Sequence, residues 1–186
     1  MRALLMVAVL ILGACTAREK PTLRAATQDH PISFAAGVGA NDGKVSRWNI
    51  VAYTNAHAQP CIEFREEHPP TTTSYCAPAG VVDAALMKEH MTPQVEFSET
   101  TSWLYGWASA SVASVRAQVG GSTVGSATPA AVSGTPWRMF WAQISPRPPK
   151  IPVVIALDGD GHVLARALHP GVGGCEGCVP PAGTTP

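Results

Sequence analysis

Period-two alternation, broken repeatedly by turn residues, constrains the fold of this chain more than any other feature, and it is sustained from residue 95 onwards. Alternating side chains point to opposite faces of a strand, so Trp103, Tyr105 and Trp107 share one face. Ala113, Val115, Ala117 and Val119 share another, opposite Ser114, Arg116 and Gln118. Gly120-Gly121 is a two-residue hairpin signal, after which residues 122–127 pair back. Residues 137–144 (WRMFWAQI) follow a Gly-Thr-Pro turn and place Trp137, Met139 and Trp141 on one side. Residues 152–157 (PVVIAL) are apolar throughout, the pattern of a central strand covered on both faces. Asp158-Gly159-Asp160-Gly161 turns the chain into residues 162–168.

Upstream, residues 48–54 (WNIVAYT) are rich in β-formers. Residues 61–65 alternate, with Ile62 and Phe64 opposite Glu63 and Arg65. Residues 83–90 (DAALMKEH) form the one helical candidate of the domain, with Asp83 suited to the N-cap and Pro93 forbidding continuation. Short strands between Gly, Pro, Asn and Asp turns predict a mainly β fold: an antiparallel sandwich, in which an immunoglobulin-like topology is one option, with at most one short helix.

Composition supports a packed domain and removes some functions. Of 186 residues, 46% are hydrophobic, and 17 Gly with 17 Pro stay below the share typical of low-complexity chains. Charged residues make up only 14%, balanced at 13 basic and 13 acidic. A nucleic-acid binder driven by phosphate neutralisation needs a basic surface, so that class is excluded.

The N-terminus carries a separate signal. Met1-Arg2 precedes an apolar run at residues 3–12 (ALLMVAVLIL), which as a helix spans about 15 Å, half of a bilayer core. That length suits the apolar region of a secretory signal. Leu12-Gly13-Ala14-Cys15 follows, and it resembles the lipobox of bacterial lipoproteins. The resemblance implies cleavage after Ala14 and lipidation of Cys15, with acyl chains of the palmitate kind anchoring the mature chain at the extracytoplasmic face of the cell membrane. Residues 1–14 are then the signal peptide, and residues 15–44, without a sustained period, are expected to be a lipidated flexible tether. The β-sandwich domain is placed at 45–170, and a Gly/Pro-rich tail at 171–186.

Four further cysteines remain, Cys61, Cys76, Cys175 and Cys178. An even number in an exported chain predicts a disulfide framework. Of the three pairings, Cys61–Cys76 with Cys175–Cys178 is favoured. Cys175-Glu176-Gly177-Cys178 matches the spacing of a thioredoxin-like redox pair, but it lacks a following helix to lower a thiol pKa, so a structural ring is the better reading. Only one cysteine pair has the short spacing of zinc ligands, and no metal or other cofactor is expected.

Trp48, Cys61 and Cys76, Tyr105-Gly106, residues 112–116 and residues 153–164 occur in an order that resembles a β-rich extracytoplasmic domain of actinobacterial exported proteins. That resemblance spans about two-thirds of the chain and brings no activity with it. No G-x-S-x-G, P-loop or dinucleotide fingerprint is present. Counted as a calcium loop from Asp158, the glycine and the closing acid fall at the wrong positions, so 158–161 reads as a hairpin turn. His57, His68, His90, His162 and His169 are scattered, and Glu63, Glu66, Glu67 and His68 read as a solvated loop. Trp103, Tyr105 and Trp107 are core if their face turns inward, the favoured reading, and a platform for an envelope glycan or an envelope protein if it turns outward. The expectation is a non-catalytic binding or structural module on the membrane surface. The alternative is a hydrolase acting on envelope material, with a triad the sequence does not assign.

Overall fold

The computed structural model describes residues 22–41, 44–68, 70–97, 101–168 and 171–174. The chain is mainly β, as the alternation predicts, and its strands form three sheets. The first holds β1 (Ile32–Asn41), β2 (Lys44–Thr54), β3 (Pro60–Glu66) and β4 (Thr71–Cys76) in sequential order. The second holds β5 (Met91–Phe97), β6 (Ser102–Ala108), β9 (Ala130–Ala131), β10 (Arg138–Ile144) and β13 (Gly171–Gly174), in the order β13-β5-β6-β10-β9. The third holds β7 (Ser114–Val119), β8 (Ser122–Ala127), β11 (Val153–Leu157) and β12 (Val163–Ala167), in the order β12-β11-β7-β8. Pairing is antiparallel throughout, except between β13 and β5.

The second sheet lies in the middle and is buried on both faces. One face sends Trp103, Tyr105, Trp107 and Met139 against Ile50, Ala52, Ile62 and Phe64 of the first sheet. The other sends Val95, Leu104, Phe140 and Ile144 against Val115, Ala117, Val154 and Ala156 of the third. Strand β6 is consequently buried along its whole length. Gly106 sits there because no side chain fits: a Cβ would clash with the Thr92 carbonyl and come within 2.8 Å of the Phe140 ring.

The segment expected to be a tether is part of the domain from Thr22 onward. Leu23 and Ala26 are buried, and the Leu23 and Ala26 carbonyls accept from the Thr54 hydroxyl and amide at 2.8 and 2.9 Å. β1 then pairs along β2. The sequence hides this strand because β1 carries three small residues and two glycines rather than clean alternation. At Gly37 the lack of a side chain is functional in packing, since a Cβ would lie 2.6 Å from the Trp48 indole. Residues 171–174, expected to be tail, instead close the edge of the middle sheet beside β5. Residues 15–21 and 175–186 lie outside the described residues, as do Cys15, Cys175 and Cys178.

The α-helix among the described residues, α1 (Ala79–Glu89), starts four residues before the predicted Asp83. Pro78 presets the backbone at its N-cap position. His90, with φ 61°, takes the left-handed C-cap conformation. Gly120 and Gly121 adopt positive φ at the predicted β7–β8 hairpin, and β11 sits inside its sheet as predicted. Cys61 and Cys76 face each other across β3 and β4 and form a disulfide.

Candidate functional site

Trp103, Tyr105 and Trp107 are 3%, 1% and 0% exposed. The outward-platform alternative therefore fails. The three side chains fill the space between the first and middle sheets, with Phe64 4.8 Å from Trp103 and Trp137 5.5 Å from Trp107 between ring centroids. The physical reason is the layering: a middle sheet has no outward face.

Glu63, grouped by sequence with a solvated loop, is also buried. Its carboxylate pairs with Arg65 and accepts from the Tyr53 hydroxyl at 2.7 Å. Burial, together with that carboxylate, pushes the Tyr53 phenol up to about 12. Glu96 of β5 lies on the Trp103 face, with its carboxyl buried. Loss of water raises its pKa to about 7; the Thr73 side chain pulls the other way, and Glu66 adds to the rise. At 2% exposure, this carboxyl is sealed from any ligand.

Concavities mark the surface in at least two places. One, of about 690 Å³, lies along the β1–β2–β3 surface and presents Arg47, Arg65, Glu66 and Glu67. Arg65 is already engaged with Glu63 and with the Gln28 carbonyl, and the charges are of both signs. At the third-sheet turn, Asp158, Asp160 and His162 come close enough to share a cation. The Asp158 Oδ1 accepts from the Asp160 and His162 amides, which lower its pKa, so this is the hairpin turn that the sequence predicts.

The second concavity, about 520 Å³, is formed where α1 ends and β6 turns toward β7. Its lining is assembled by local backbone chemistry. α1 stops at His90, whose amide donates to the Leu86 carbonyl at 3.1 Å, and the left-handed turn throws the imidazole sideways. The Ser109 amide then donates to the His90 carbonyl at 2.9 Å, fixing the β6 exit beside it. His90 Nδ1 lies 3.4 Å from the Ser109 Oγ and 3.3 Å from the Ser111 Oγ, and those two oxygens are 2.8 Å apart. Across the cleft, the Trp137 Nε1 donates to Asp83 Oδ1 at 2.7 Å. Met87, 84% exposed, and Pro136 supply apolar wall.

The chain matches no family model, curated protein or solved structure. The assignment of a site therefore rests on geometry. Small clefts with a few convergent polar groups on apolar walls are the usual form of ligand sites, and among the described residues this cleft has that form. Sequence reasoning left His90 among scattered histidines and did not single out Ser109 or Ser111. The only local signal was a histidine at the last position of the predicted helix, which the structure makes its left-handed C-cap.

Proposed function

We propose that this chain is a cell-envelope lipoprotein, held through Cys15 at the outer face of the cytoplasmic membrane, which presents the α1–β6 cleft as its ligand-binding surface. The observation that carries this reading is the convergence of His90, Ser109, Ser111 and Asp83 on one open, partly apolar hollow. The buried Tyr53–Glu63 pair, by contrast, is closed off from solvent, and aromatic and aliphatic side chains fill the space between the layers. The lipobox resemblance of residues 12–15 supports the location, and an envelope glycan or an envelope protein is the ligand expected there.

Trp137 lines the cleft, so its emission reports occupancy. Detergent-solubilised full chain is titrated with purified cell-wall glycan fragments while tryptophan fluorescence is followed. A saturable shift that disappears in Trp137→Phe is the expected result. A spectrum unchanged at saturating glycan removes the glycan and leaves an envelope protein as the ligand to be tested.

A further inference from the structure

Beyond binding, we infer that the cleft is an acyl-transfer site in which the Ser111 hydroxyl is the nucleophile and His90 Nδ1 its general base, acting on small neutral carboxylic esters. The inference rests on the cleft being the working surface of the module, and on three observations about its residues.

The first is reach. Ser111 is exposed at the cleft mouth with its Oγ 3.3 Å from Nδ1, close to the distance over which a base takes a proton. The second is the neighbouring hydroxyl. Ser109 is half-buried, its backbone N–H donating to the His90 carbonyl, and its Oγ stands 2.8 Å from the Ser111 Oγ, where its O–H can donate to oxygen that acquires negative charge. The third is backbone strain. His90 holds φ 61° without being glycine or asparagine, and residues kept in the left-handed region cluster at functional sites. Asp83 does not complete a triad through Oδ1, which accepts from the Trp137 indole.

The substrate class follows from the lining. Among the described residues no lysine or arginine lines the cleft, and Asp83 repels anions, so carboxylate and phosphate substrates are disfavoured. Met87, Ala110 and Pro136 give an acyl group apolar surface.

In the first half-reaction the Ser111 Oγ bonds to the ester carbonyl carbon while its proton passes to His90 Nδ1. The bond from that carbon to the alkoxy oxygen breaks, and the imidazolium proton leaves on the alcohol. In the second, water adds to the acyl-Ser111 carbonyl carbon and gives a proton to Nδ1. The acyl–Oγ bond breaks, the acid departs, and the Nδ1 proton returns to Ser111.

The full chain is treated with a fluorophosphonate probe and the labelled peptide is mapped, with p-nitrophenyl acetate hydrolysis followed in parallel. Label on Ser111 is expected, absent in Ser111→Ala, with labelling and hydrolysis reduced about 100-fold in His90→Asn, in keeping with loss of a positioned base. Asn tolerates the left-handed turn, so that variant keeps the backbone of the helix end. Label on Ser109 or elsewhere, no label in the wild type, or equal labelling of His90→Asn overturns the inference. Saturable glycan binding without any labelling overturns it while leaving the binding reading intact.

Discussion

At the scale of single residues, Glu96 has the most measurable behaviour. Its carboxyl is buried, and desolvation lifts its pKa from an ordinary 4.5 to about 7. Between those values the folded chain keeps a proton that the unfolded chain has released. Folding stability therefore falls as pH rises through that window, by about 1.4 kcal/mol per unit and about 3 kcal/mol over the whole of it. Glu96→Gln removes the titration. Urea unfolding at pH 5 and pH 8 should show the variant gaining about 2–3 kcal/mol on the wild type between the two; a gap that does not change with pH rejects the assignment. The same residue marks the limit of the sequence. Period two puts Glu96 on the Trp103 face, but whether that face meets water depends on the first sheet folding over it, a long-range event. Glu63 misleads for the same reason. Its alternation with Ile62 and Phe64 is legible, while Ala26, which packs with Val51 and Tyr53 on the same face of the sheet, is far upstream.

Among the elements, the strands with strong local grammar were readable. Gly120-Gly121 fixed the β7–β8 hairpin, Asp158–Gly161 fixed β11–β12, and the aromatic alternation fixed β6. β1 and β13 were missed because their residues are small or glycine, and their pairing comes from partners rather than from propensity. The cleft was the least legible part, since it arises where a helix end, a strand exit and the loop before β10 meet. The disulfide between β3 and β4 has an energetic consequence at this scale. It closes a 15-residue separation, and restricting an unfolded loop of that size is worth about 3 kcal/mol. Reduction, or the paired Cys61→Ala and Cys76→Ala variant, should lower unfolding free energy by about that amount in urea titrations. Equal midpoints for oxidised and reduced chains contradict this.

For the molecule as a whole, the expected anchor and the observed domain lie close together in the chain. Thr22 already belongs to the fold, which leaves only residues 16–21 between Cys15 and the domain. On the lipoprotein reading, the domain then sits near the bilayer surface instead of ranging some 30 Å from it, as the longer tether implied. Cys15→Ser should move the protein from the membrane fraction to the soluble exported fraction, read by fractionation and immunoblot. Retention on membranes rejects lipid anchoring at Cys15. No helix among the described residues is long and apolar enough to cross a membrane.

The parallel pairing of β13 with β5 also sets a timetable for assembly. Gly171–Gly174 reaches back to Gln94–Phe97. A chain delivered N-terminus first can complete the first sheet, α1 and the β5–β6 hairpin early, while the far side of β5 waits for residues about 75 positions later. Until they arrive, a strand at the heart of the domain has a bare edge of the kind that recruits foreign strands. Gly171–Gly174 are thus the latch of the central layer, and a nascent chain stalled short of Gly171 is the form most exposed to misassembly.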